Sequence, residues 1–140
     1  MNKYKNKVAV VTGAGSGIGR AIALELASHG ASLALSDVNM VGLEETQALV
    51  QARYSDVVGN IYPLDVSDQQ AVLDHAQQVS DDFSNIHFVF NNAGVALSSN
   101  LDVVKRKDFD WIMNINFWGV VNGTEAFLPH LKASAKKGDT

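Results

Sequence analysis

The sequence predicts an α/β domain built on a doubly wound parallel sheet with the strand order 3-2-1-4. Three observations predict it. Short β-rich apolar runs alternate with longer helical patterns in the order βαβαβαβα, which calls for right-handed crossovers with helices on both faces of the sheet. A glycine-rich turn lies where the first run gives way to the first helical pattern. Pro63 falls in the third run, and a proline cannot donate to a central ladder, so that strand belongs at the edge where this order puts it.

The elements follow in order. Lys7–Thr12 (KVAVVT) reads as a buried strand, and residues 17–29 as a helix stopped by Gly30. Ser32–Asp37 is the second strand. Asn39 is placed to cap a helix through about Ala52, with Leu43 and Val50 on its apolar face. Val57–Leu64 is the third strand. Ser67 and Gln70 stand in the relation of a capping box, ahead of Val72, Ala76, Val79 and Phe83 at helical spacing. Ile86–Asn91 is the fourth strand. A polar loop then leads to one long helix from about Lys107 to Lys132, in which Pro129 is expected to introduce a kink and free the carbonyl of Glu125.

Composition narrows the function classes. A chain of 140 residues, 46% hydrophobic and 19% charged, is long enough for one cored domain and unlike a disordered one. Residues 1–140 are therefore expected to form a single domain. The formal net charge of −4 supplies no basic field, which argues against general nucleic-acid binding. Without cysteine there is no disulfide, thiolate nucleophile or cysteine-ligated zinc, which fits a cytoplasmic location. Lys3, Lys5 and Lys7 precede an apolar run, but Val8–Val11 is too short for a signal peptide, and no membrane span is expected. His29, His75, His87 and His130 lack metal-ligand spacing, so no metal site is expected.

The turn reads T-G-A-G-S-G-I-G from Thr12 to Gly19. At a strand-to-helix junction such a loop can hold phosphate. The helix N-terminus offers free N–H groups and the positive end of the macrodipole, and glycines let the backbone approach the pyrophosphate. Asp37 closes the next strand, where a carboxylate can accept hydrogen bonds from ribose hydroxyls and repel a 2′-phosphate. This predicts NAD in preference to NADP. A turn or cap at a strand end is the lesser alternative for Asp37.

The spacing departs from G-x-G-x-x-G, since Ile18 stands where the third glycine belongs, and matches T-G-x-x-x-G-x-G instead. That pattern resembles the short-chain dehydrogenase/reductase family. Asp65-Val66 after the third strand resembles the family's adenine-contacting pair, and Asn91-Asn92-Ala93-Gly94 its N-N-A-G motif. Asn116, three residues before Gly119, resembles its catalytic-helix asparagine. The extended relatives, such as sugar-nucleotide epimerases, need glycine at Ser16.

The resemblance implies a Rossmann-like fold and hydride transfer between a nicotinamide cofactor and a small alcohol or carbonyl substrate. The backbone from Gly13 through Gly15, Ser16 and Gly17 to Ile18 would bind pyrophosphate. Gly19 would complete the cofactor loop by letting the first helix pack tightly on the sheet. Asp37 would hold the adenosine ribose, and Asp65 and Val66 the adenine. Asn92, Ala93 and Gly94 would line the cofactor groove and brace the sheet. Asn116 would anchor a water in a proton relay. Other roles suit the same residues: Asp65 can accept N–H groups near the following helix, Asn91 and Asn92 can form a turn, and Asn116 can bond backbone.

The family's chemistry also uses a serine and a Tyr-x-x-x-Lys pair, in which the lysine cation lowers the tyrosine pKa. Here Tyr4, Tyr54 and Tyr62 are followed at the lysine position by Val8, Val58 and Val66. The chain is thus expected to stop before the fifth strand and to bind cofactor without turning over substrate. Phe88 and Phe90 on the fourth strand are expected to lack a strand partner on one side. The last helix, with Trp111, Phe117, Trp118 and Phe127 among its apolar residues, is apolar on more than one face. One face is expected on the sheet, and the resemblance implies that another packs on a partner subunit.

Overall fold

The structure, a computed structural model, describes residues 3–138. In chain order the elements are β1 (Val8–Thr12), α1 (Gly17–Ser28), β2 (Ser32–Asp37), α2 (Met40–Arg53), β3 (Gly59–Pro63), α3 (Gln69–Phe83), β4 (Phe88–Phe90), α4 (Arg106–Met113) and α5 (Gly119–Lys136). A π-helical turn, Asn114–Trp118, joins the last two. The strands pair in parallel in the order β3-β2-β1-β4, as the alternation and Pro63 predict.

Register decides where a site can form. Thr12 lies opposite Ser36, Asp37 opposite Pro63 and Val11 opposite Phe90, so the C-terminal ends of all four strands reach one edge of the sheet together. Ligands in open α/β sheets bind outside those ends, where the strand order reverses. Here the reversal falls between β1 and β4.

The strands read as near-continuous apolar runs because both faces are covered. Ala9, Val11, Leu33 and Leu35 pack with Ala23 and Leu26 of α1 and Leu43 and Val50 of α2. On the other face Val10, Ala34 and Tyr62 pack with Val72 and Val79 of α3 and Phe127 of α5. His75 is sealed within this second layer, edge-on to both Tyr62 and Phe127 at 4.9 and 5.7 Å between ring centroids.

Helix ends follow local chemistry, with one correction. Asn39 caps α2 by accepting the Gly42 N–H at 3.1 Å, and Gly30, at φ 85°, follows the end of α1. The Ser67–Gln70 box does not form. Asp68 caps α3 instead, accepting the Ala71 N–H at 3.0 Å, because the Ser67 hydroxyl is drawn back to donate to Asp65 at 2.7 Å.

The long final helix is also corrected. It breaks at the π-helical turn, while α5 continues through Pro129 to Lys136. The wider turn is docked by a contact within it and another just after it. Asn116 reaches the backbone of Val95, and a Cβ on Gly119 would come within 2.6 Å of Val66 Cγ2. The β3 and β4 ladders are shorter than the runs that predict them; at Ile86 the N–H turns away to the Ser134 hydroxyl at 2.9 Å.

Candidate cofactor site

The glycine loop leaves β1 at Thr12 and enters α1 at Gly17. Gly13 turns the chain at φ 67°, and a Cβ there would lie 2.8 Å from Ala93 Cα. A side chain at Gly19 would strike the Gly13 carbonyl, which accounts for glycine where α1 meets the loop. Ser16 takes the N-cap position of α1 in extended conformation, and its hydroxyl makes no capping bond. Ser16, Gly17 and Ile18 are exposed, so the first turn of α1 faces open space with its N–H groups available.

Asp37, at the end of β2, touches the loop directly. Its Oδ2 accepts the Gly15 N–H at 2.9 Å and its Oδ1 the Asn39 N–H at 3.0 Å. A carboxylate has about four acceptor positions, so lone pairs remain for ribose hydroxyls. Turn-former and ligand acceptor are therefore compatible roles. Asp65 Oδ1 similarly accepts both the N–H and the hydroxyl of Ser67, leaving the carboxylate exposed. Val66 is buried, and its carbonyl accepts from Asn122 Nδ2 of α5 at 2.9 Å.

The Asn-Asn-Ala-Gly segment ties β4 to β1. Thr12 Oγ1 accepts the N–H groups of Asn92 and Ala93 at 3.1 and 3.0 Å, while Asn92 Nδ2 donates to the Thr12 carbonyl at 3.1 Å. Beyond it, Asn116 pairs with both backbone groups of Val95: Oδ1 accepts the N–H and Nδ2 donates to the carbonyl, each at 2.8 Å. The asparagine amide thus acts as a rung that holds the loop after β4 to the π-helical turn. Such turns concentrate at functional sites.

These parts enclose a cleft of about 420 Å³, within the range of small-molecule sites. The loop residues Gly13, Ser16, Gly17, Ile18 and Gly19 line one side, with Asp37, Asp65 and Val66 at the adenosine end expected from the sequence. Asn92, Ala93 and Gly94 line the other side. Gly15 lies behind the lining, against Asp37, and Asn116 enters only through its neighbour Ile115 and its partner Val95.

Sequence reasoning missed Arg20 and Thr46. Thr46, fully buried on α2, donates to the Ala14 carbonyl at 2.9 Å, and Arg20 reaches the Gly15 carbonyl at 2.6 Å. No local pattern announces either; a strongly basic residue straight after the last loop glycine was the available signal. Among the described residues no His/Cys/Asp/Glu group could hold a metal, and no helix is long and apolar enough to cross a membrane.

A parallel sheet in this order, with a glycine loop and an acidic residue ending the adjacent strand, defines a Rossmann-like dinucleotide-binding domain. The comparisons specify the family. The short chain dehydrogenase family profile matches residues 7–139, and the chain belongs to that family. It is 52% identical over 134 residues to SadH of Mycobacterium tuberculosis (strain ATCC 25618 / H37Rv), named as an oxidoreductase, covering 96% of this chain and 48% of SadH.

Two crystal structures bear on the cofactor. A short chain dehydrogenase/reductase from Burkholderia phymatum in complex with NAD matches with TM-score 0.86 and 36% identity, over 96% of this chain and 47% of that one. An alcohol dehydrogenase from Thermococcus sibiricus complexed with 5-hydroxy-NADP matches with TM-score 0.86 and 34% identity, over 91% and 54%. The family neighbours therefore hold nicotinamide cofactors of both kinds. The chain spans about half the length of SadH and of these structures.

Proposed function

We propose that residues 1–140 form the cofactor-binding domain of an oxidoreductase that transfers hydride between NAD and a small alcohol or carbonyl substrate. The observation that carries this reading is the cleft at the C-terminal ends of β1, β2 and β4, where the open first turn of α1 meets the Asp37 carboxylate. The backbone of Gly13–Gly19 would hold pyrophosphate, Asp37 the adenosine ribose, Asp65 and Val66 the adenine, and Asn92–Gly94 the far wall. Bound NAD supplies the hydride acceptor. Asn116 positions the Val95 backbone at the cleft mouth, and a water held in that region would serve a proton relay.

Asp37 sets the preference for NAD, because a 2′-phosphate would meet its negative charge. NADH added to the chain is expected to show a saturable fluorescence change, with weaker binding of NADPH. Asp37→Ala reduces that preference about tenfold or more. Equal affinity of the unaltered chain for both cofactors overturns the assignment.

One observation favours a second reading, an NAD-binding module without turnover: these 140 residues contain no Tyr-x-x-x-Lys. We infer that they bind cofactor without oxidising alcohols. Steady NADH production from added alcohol by this chain alone would overturn that inference. The exposed aromatic side chains from Trp111 to Trp118 support self-association as the partner state, and the absence of cysteine supports a cytoplasmic setting.

A further inference from the structure

Arg20 follows the last glycine of the loop, yet its side chain does not extend into solvent with the outer face of α1. It folds back beneath the loop. Nη2 donates to the carbonyls of Gly15 at 2.6 Å and Gly42 at 3.3 Å and pairs with Glu45 at 2.9 Å, while Nε donates to Thr46 Oγ1 at 2.9 Å. Gly42 is close enough that a Cβ there would lie 2.6 Å from the Gly15 carbonyl oxygen. Two backbone carbonyls therefore converge on one guanidinium, whose planar fork is permanently charged.

The contacts close a ring. Gly15 gives its N–H to Asp37 Oδ2 and its carbonyl to Arg20, so the residue is held from both sides. Arg20 continues to the Gly42 carbonyl, the Gly42 N–H goes to Asn39 Oδ1, and the Asn39 N–H returns to Asp37 Oδ1. Both oxygens of Asp37 are thereby fixed in place before any ligand arrives. Arg20 is the one cation in the circuit, with its Nε committed to Thr46 and its Nη2 to the two backbone carbonyls and Glu45.

We propose that Arg20 is a positioning residue for cofactor choice: by locking Gly15 and Gly42 together it orients the Asp37 carboxylate toward ribose hydroxyls and sustains discrimination between NAD and NADP. The inference rests on the ribose-binding role of Asp37. It adds a residue that touches no cofactor, acting through another.

The test measures NADH, NADPH and ADP-ribose binding by the full 140-residue chain, with circular dichroism and thermal melting as checks on folding. Arg20→Met keeps the aliphatic stem and removes the fork. It is expected to weaken NADH and ADP-ribose about tenfold and leave NADPH within about twofold, so the preference ratio falls about tenfold. Arg20→Lys, a point charge that cannot serve Thr46 and both carbonyls at once, is expected to fall between, and it carries the test if Arg20→Met does not fold. Glu45→Ala leaves both carbonyl contacts in place and is expected to preserve the ratio.

Equal weakening of both cofactors by the Arg20 variants marks a merely structural role and overturns the proposal. So does an unchanged ratio, or a loss in Glu45→Ala as large as in Arg20→Met. If Asp37→Ala abolishes the preference while Arg20→Met retains it, this inference alone fails. If Asp37→Ala leaves the preference intact, the ribose assignment fails and the inference falls with it.

Discussion

From β1 to the middle of α2 the strand residues and inward helix faces are sealed, with Ala9, Val11, Leu33, Leu35 and Leu43 at 0% exposure. By contrast α4 and the π-helical turn contain no buried residue, and Phe117 and Trp118 stand about half exposed. Both regions are rich in apolar side chains. In the first, neighbours in sequence supply the cover: α1 and α2 close the sheet face that β1 and β2 offer. In the second, the apolar side chains lie on helices whose docking contacts, Asn116 to Val95 and Gly119 to Val66, use small or polar groups. The glycine-loop and Asp37 edge of the cleft is thus built by the first βαβα unit, and Asp65 and Val66 are added to it after β3. α4 and the π-helical turn attach through the segments that follow β3 and β4 while leaving their aromatic side chains outside.

The contrast is sharpest within the last helical run, because α5 plunges into the core a few residues after the exposed turn. Phe127 is 1% exposed and packs edge-on against His75. Phe127→Ala is expected to cost about 3–5 kcal/mol in urea unfolding, the usual penalty for emptying a buried aromatic site. A cost below about 1 kcal/mol would show that α5 is not fixed to the sheet, and the contrast between sealed and open regions would lose its boundary.

A smaller effect comes from His75 in the same layer. Neither ring nitrogen has a hydrogen-bond partner, and burial pushes its pKa from an ordinary 6.5 down to about 4. Its neighbour Tyr62 donates to Asp82 at 2.7 Å, and burial followed by that bond pushes the phenol upward, so it stays protonated. Because the folded pKa of His75 is depressed, the unfolded chain takes up the proton first. The neutral form's contribution is complete above about pH 6.5 and is lost as pH falls toward 4. The loss is on the order of 2–3 kcal/mol. His75→Phe keeps the ring and removes the titration, so its stability should fall less between pH 7 and 4. Parallel pH profiles for both chains would show that the ring is hydrated.

Legibility followed the same division. The strand order, the parallel sheet and the glycine loop could be read from the βαβαβαβα alternation, Pro63 and the Thr12–Gly19 turn, because burial on two faces writes continuous apolar runs and tight approach demands glycine. The Asp37 and Asn92 positions were readable by motif, and the structure brings both to the cleft. What escaped depends on competition between neighbouring hydrogen bonds or on contacts between distant segments. Ser67 and Asp68 are both good caps, and only the pull of Asp65 on the Ser67 hydroxyl decides between them. The π-helical turn depends on where Val66 and Val95 stand, tens of residues away. Arg20 looks like any solvated helix residue until α2 places the Gly42 carbonyl and Thr46 beside it.

The smallest effect on stability tests what the open region is for. Phe117 and Trp118 form an edge-to-face pair at 5.2 Å between centroids, and Trp118 is 51% exposed. Substituting a half-exposed side chain that fills no core site typically changes the stability of a lone chain by no more than about 0.5 kcal/mol. If this face meets a second copy, Trp118→Ser still leaves the dilute unfolding midpoint nearly unchanged. It shifts sedimentation toward monomer at concentrations where the unaltered chain associates. The two measurements separate fold from assembly, which Phe127→Ala cannot do. Association that persists unchanged in Trp118→Ser would place the contact elsewhere, with the open edge of β4 the next surface to test.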